Sequence, residues 1–111
     1  MDSFDNIHFN KELNLVNPEE IFRYIRNKRG IVDLINKSVI LIKKYFPNSN
    51  LYLKFVEDSE LESLDVLFTY IKNKENSVDE NFNVFLELLD GFIDLKSQFN
   101  GLESSYSIRL N

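Results

Sequence analysis

The sequence predicts an α+β fold, a two-layer sandwich with helices on one face of a mainly antiparallel sheet. Three observations predict it. Segments 51–57 and 64–72 alternate in polarity and are joined by a short polar connection, as an antiparallel hairpin requires. On either side of that hairpin lie longer stretches with apolar residues at helical spacing. Residues 102–110 then alternate again. One helix-bearing layer over one sheet is the stable way to bury both sets of apolar residues.

The elements follow in chain order. Residues 7–16 place Ile7, Phe9, Leu13 and Leu15 on one parity with Lys11 interrupting, which reads either as a strand or as an ordered tail. Asn17-Pro18-Glu19-Glu20 opens a helix: Asn caps, Pro occupies the first turn, and two acids favour the positive end of the dipole. The apolar stripe runs Ile21, Ile25, Val32, Ile35, Val39, Ile42, Phe46, and Gly30 either sits within one long helix at a cost of about 1 kcal/mol or marks a break or bend near Arg29-Gly30, the reading favoured here. Pro47 drives Phe46 out of helical geometry and ends the stretch.

In the first hairpin strand Leu51, Leu53 and Phe55 share a face. The second is apolar on both faces through its middle, as an interior strand should be. Ser77-Val78-Asp79-Glu80 matches a capping box. The helix behind it carries Phe82, Phe85, Leu86, Leu89, Phe92 and Ile93, expected to face the core. Asn100-Gly101 stops it. The final strand, with Leu102, Ser104, Tyr106, Ile108 and Leu110 on one parity, suits a solvated edge. The order is (β)α-ββ-α-β. With a strand in 7–16 it becomes the ferredoxin-like β-α-β-β-α-β; without one, a three-stranded sandwich.

Composition bounds the function. A chain of 111 residues is expected to form a single domain, 1–111, with a loose polar end at 1–6. The absence of Cys excludes disulfides, thiolate metal sites and a cysteine nucleophile. His8 is the sole imidazole, and the glycines Gly30, Gly91 and Gly101 are isolated, so neither a histidine-based triad nor a phosphate loop is expected. The acidic run from Asp58 to Asp65 lacks the order of a calcium loop. No catalytic residue, metal or cofactor is therefore expected. No apolar run approaches the ~20 residues of a membrane span and no signal peptide opens the chain, which points to a soluble cytoplasmic protein. The lack of alanine beside abundant Asn, Lys and Ile reflects an AT-rich coding bias.

Charge is distributed unevenly. Residues 18–46 carry seven bases against three acids, whereas 57–65 and 75–94 carry acids and no base. The acids Glu57, Asp58, Glu60, Glu62 and Asp65 at the hairpin, with Asp79, Glu80, Glu87, Asp90 and Asp94 on the last helix, form a candidate docking surface for a basic protein partner. Arg23, Arg26 and Arg29 are candidate nucleic-acid contacts, set against the net charge of −5. Tyr52, Tyr70 and Tyr106 are expected on the outer sheet face, where a flat aromatic patch could pair two copies of a regulatory or oligomerising module.

Three short motifs carry a resemblance: Lys44-Tyr45-Phe46-Pro47, then Leu51-x-Leu53-x-x-Val56-x-Asp58-x-Glu60, then Leu89-Asp90-x-Phe92. Over roughly residues 33–95 the chain resembles a group of small bacterial α+β proteins often encoded beside toxin-like genes. The resemblance implies an antitoxin or immunity-type role, as for some of that group; with the charge layout, the expectation is an acidic surface that neutralises a basic toxin partner. It carries over no catalytic residue. Ile93-Asp94-Leu95 stands where that group tends to place tryptophans.

Overall fold

A computed structural model describes residues 7–57 and 66–111. Its elements are β1 (Leu13–Leu15), α1 (Pro18–Ile25), α2 (Ile31–Tyr45), β2 (Asn50–Val56), β3 (Val66–Lys72), α3 (Val78–Lys96) and β4 (Tyr106–Leu110). The fold is α+β, three helices against a four-stranded sheet of order β1-β2-β3-β4.

The sheet is mixed, which corrects the expected mainly antiparallel one. Only β2 and β3 pair antiparallel; β1 lies parallel to β2 and β4 parallel to β3. The parallel partners are adjacent, not split by an intervening strand as in the ferredoxin-like arrangement. All three helices pack on the same sheet face. Tyr24 of α1 meets Phe55, Phe92 of α3 meets Tyr106, and Ser38 of α2 bonds to Tyr106. The two parallel pairs run in opposite directions but step the same way across the sheet. Crossovers over one face must then have opposite hands, so one breaks the strong right-handed preference.

Register explains which residues enter the core. Leu13, Leu51 and Ile71 align across the sheet, as do Leu53, Thr69 and Ile108, so one parity of every strand faces the helices. These residues join Ile21, Ile25, Ile31, Leu34, Ile35, Val39, Ile42, Leu88 and Phe92 in one cluster. The opposite face carries Asn14, Tyr52, Lys54, Phe68, Tyr70, Lys72, Ser107 and Arg109 and has no covering layer among the described residues.

Several local expectations hold and three change. The stretch breaks after Ile25, the end of α1, and Gly30, at φ 84°, is the N-cap of α2; the left-handed backbone there admits glycine without strain. Asn17 is the N-cap residue of α1 but makes no side-chain capping bond. Its side chain instead spans both main-chain groups of Phe55 at 2.9 Å, pinning the start of α1 to β2. Tyr106 does not reach the outer face; it is wholly buried, with its hydroxyl 2.6 Å from that of Thr69. Phe82, Leu86 and Ile93 are not core. They are 53%, 47% and 63% exposed, because α3 lies over the β4 edge and turns only its Leu88–Phe92 side onto the sheet.

Within 7–16 only Leu13–Leu15 forms a strand. The segment before it is tied to α2 by Asn36, which donates to the His8 carbonyl at 2.8 Å and accepts from the Asn10 N–H at 2.7 Å.

Gly91 sits inside α3, and a Cβ there would stand at ordinary contact distance, 3.5 Å, from Leu41. Gly91→Ala is therefore expected to stabilise the protein by about 0.5–1 kcal/mol, read as a raised urea midpoint at constant slope.

Candidate protein-binding surface

Helix α3 presents three distinct faces. Asn81, Leu88 and Phe92 are turned inward. Next round the helix comes an apolar ridge, with Val78 (82% exposed), Phe82, Leu86 and Ile93 open to solvent and Phe85 and Leu89 half-buried beside them. Beyond the ridge, away from the sheet, stand Asp79, Glu80, Glu87, Asp90 and Asp94, all exposed. Lys96 is the one base within α3. A contiguous apolar ridge bordered by charge is the usual mark of an interaction surface, unlike scattered exposed leucines.

The helix is fixed at both ends. The Ser77 hydroxyl accepts from the Glu80 N–H at 3.2 Å, and the Glu80 carboxylate accepts from the Ser77 N–H at 2.9 Å. The bond from the Ser77 N–H first, and then hydrogen bonding from the Ser77 side chain, hold the Glu80 carboxyl below its usual range. The folded pKa is depressed, so the box contributes stability above the ordinary carboxylate range and loses it as pH falls through the folded value. Ser77→Ala is expected to cost about 1 kcal/mol by chemical denaturation. Glu80→Gln should keep the box while removing its pH dependence, which an NMR pH titration of the α3 N-terminal amides checks.

At the other end Lys96 lies 5.3 Å from the Phe92 ring centroid and donates to the Tyr106 carbonyl at 3.0 Å. Burial lowers its pKa, partly opposed by Glu103.

Between α3 and β4 runs an open groove. One stretch, of about 490 Å³, is lined by Phe82, Phe85, Leu89, Ile108, Arg109 and Leu110. The next, of about 360 Å³, is lined by Leu89, Phe92, Ile93 and Lys96 with Ser107 and Glu103. The sequence held a signal for this groove. The apolar residues of α3 span more than one helical face, more than a single sheet contact can bury.

The remaining candidates fall elsewhere. Glu57 is exposed at the end of β2, while Asp58, Glu60, Glu62 and Asp65 lie outside the described residues. Arg23, Arg26 and Arg29 are exposed around the end of α1, but Tyr24 between them packs against Phe55 at 4.9 Å and under Lys28 at 4.6 Å, so it offers no free stacking face. On the open sheet face Tyr52, Lys54, Tyr70 and Lys72 line a shallow depression of about 390 Å³, and Arg109 lies 4.8 Å from the Phe68 ring centroid. Among the described strand residues, this face carries cations and aromatics and no acid.

No group of His, Cys, Asp or Glu among the described residues is placed to hold a metal, and no described helix is long and apolar enough to cross a membrane. Compared with protein-family models, curated proteins and solved structures, the chain shows no match.

Proposed function

We propose that this chain is a non-enzymatic protein-binding module of antitoxin or immunity type. It neutralises a basic, toxin-like protein by seating it on α3 and the β4 edge. The observation that carries this reading is the pairing on one helix of a solvent-facing apolar ridge with five exposed carboxylates. The ridge supplies the area whose dehydration drives association. The acids raise the encounter rate with a basic surface and disfavour acidic competitors. The hairpin acids from Glu57 to Asp65 extend the negative charge of the chain in the same sense.

The test is a binding measurement with the product of the adjacent gene: titration calorimetry of the two purified proteins, repeated with Glu87, Asp90 and Asp94 changed to Lys. A tight complex that the changes weaken supports the reading. A complex indifferent to them, or none at all, refutes it.

A second reading rests on the open sheet face. Lys54, Lys72 and Arg109 with Tyr52, Phe68 and Tyr70 would suit single-stranded nucleic acid, where bases stack and phosphates pair. Nucleic acid is better placed there than on Arg23, Arg26 and Arg29. The same cations argue against pairing two copies through this face, because like charges would meet. Filter binding across a salt series separates this reading from the first.

A further inference from the structure

We infer that the groove between α3 and the edge of β4 left unpaired among the described residues receives an extended, basic segment of the partner as a fifth strand of the sheet. The inference rests on the reading of α3 as the partner-binding surface and specifies the form the partner takes there.

The edge is chemically prepared for this. Leu67 N–H donates to the Ser105 carbonyl at 3.1 Å, and Asn111 N–H to the Ile71 carbonyl at 2.8 Å. With the parallel register, these bonds turn the main-chain groups of Ser105, Ser107, Arg109 and Asn111 toward β3. The N–H and C=O groups of Tyr106, Ile108 and Leu110 then face outward. Lys96 takes the Tyr106 carbonyl, which closes that end. Ile108 and Leu110 are left with two donors and two acceptors along the open edge.

Magnitudes decide the occupant's conformation. Any partner that fills the groove strips water from these four groups. An unmet buried group costs about 1–3 kcal/mol, so covering all four without pairing would cancel much of what the apolar ridge contributes. A helix laid in the groove has no free main-chain groups to offer; an extended chain pairs them all. Its alternate side chains would enter the cavity among Phe82, Phe85 and Leu89.

β4 contains no proline, and its one charge, Arg109, belongs to the open face against Phe68. The opposite edge, β1, is only three residues long.

Charge selects the partner's chemistry. Asp79, Asp90 and Asp94 stand exposed on the far side of the ridge from the groove, and Glu103 lines the groove's far end; of the cations in its lining, Lys96 is held by the Tyr106 carbonyl and Arg109 lies against Phe68. A second copy adding β4 to β4 would bring two such acidic helices toward each other, whereas a segment with basic ends complements them.

The test uses the full ¹⁵N-labelled chain and three synthetic probes. The first is the peptide Lys-Lys-Val-Thr-Val-Thr-Val-Lys-Lys. The second is the same peptide with alternate residues N-methylated along one edge, which preserves charge and apolarity but blocks the ladder. The third is a Leu/Lys peptide that forms an amphipathic helix. The expected result is saturable binding of the first, with amide exchange at Ile108 and Leu110 slowed at least tenfold and affinity at least tenfold lower for the methylated form.

Equal binding of both extended peptides would overturn the fifth strand. So would shifts confined to α3, with unchanged exchange at the edge, on adding the helical peptide; the acidic surface would then still stand as the docking site. No binding by any probe at millimolar concentration also overturns it, and the wider reading is judged separately on the protein partner. Slow exchange of the same amides without peptide, with sedimentation as a dimer, would assign the edge to a second copy and overturn it too.

Discussion

Tyr106→Ala is expected to remove about 3–5 kcal/mol of stability, the range for deleting a large buried aromatic. The side chain is wholly buried and sits edge-on to Phe92, with ring centroids 5.8 Å apart. Its hydroxyl bonds to Thr69 at 2.6 Å and to Ser38, joining β4, β3 and α2 through one polar atom. Ser38 also donates to the Leu34 carbonyl at 2.7 Å, so it retains a partner when the phenol is lost. Thr69 does not. Tyr106→Phe should therefore cost about 1–3 kcal/mol, most of it from the orphaned Thr69 hydroxyl. Combining it with Thr69→Val should recover part of that loss, a coupling that a double-mutant cycle in urea measures directly.

Burial also pushes the Tyr106 phenol well above its ordinary value, and the bonds to Thr69 and Ser38 only partly oppose this. The sign follows from linkage. The unfolded chain releases this proton near pH ~10 and the folded chain only at higher pH. Stability from this group is thus complete below ~10 and declines as pH rises above it. Tyr106→Phe should flatten that alkaline decline, seen by following the urea midpoint against pH.

Tyr106 also marks how far the fold was legible. Its parity with Ile108 and Leu110, set against Ser105, Ser107 and Arg109, points it inward, and the outward expectation weighs the amphipathic character of tyrosine above that parity. The Thr69 partner that makes its burial tolerable lies 37 residues away. Local chemistry fared better. The capping box at Ser77, the break near Gly30, the stop before Pro47 and the hairpin are all set by residues a few positions apart, and all appear in the structure.

Strand order is a non-local property. The right-handed crossover rule favours an interleaved sheet for two βαβ units on one face, since the units then step in opposite directions. Here the strands lie in sequence order and one crossover departs from that rule. Nothing in the periodicity of the chain records this. The candidate site is half legible: the sequence sets the acids of α3 apart, but its helical periodicity points all the apolar residues inward. Helical periodicity locates a stripe without saying how wide the supporting sheet is. Among the described residues the sheet ends at β4, so Phe82, Leu86 and Ile93 project past it.

That overhang makes the second large effect separable into two parts. Reversing Glu87, Asp90 and Asp94 to Lys should slow association with the basic partner by about 10- to 1000-fold at low salt, and the loss should shrink as ionic strength rises. Dissociation should change little, because these carboxylates are exposed and border the contact. Replacing Phe82, Leu86 and Ile93 by Ser should act the other way. Association should stay near its original rate while dissociation accelerates, with at least one position costing about 2 kcal/mol or more, as for a buried anchor. Neither set should move the unfolding midpoint much. Substitutions at exposed positions away from caps and the core usually stay within about 0.5 kcal/mol each, and the three apolar residues are about half exposed or more in the free chain. Stopped-flow association, surface-immobilised dissociation and a urea curve for each variant read the three quantities independently. If the serine set unfolds the protein, the ridge belongs to the core and the surface is not a docking site. If it leaves dissociation unchanged, the partner sits elsewhere and the exposed cationic sheet becomes the surface to pursue.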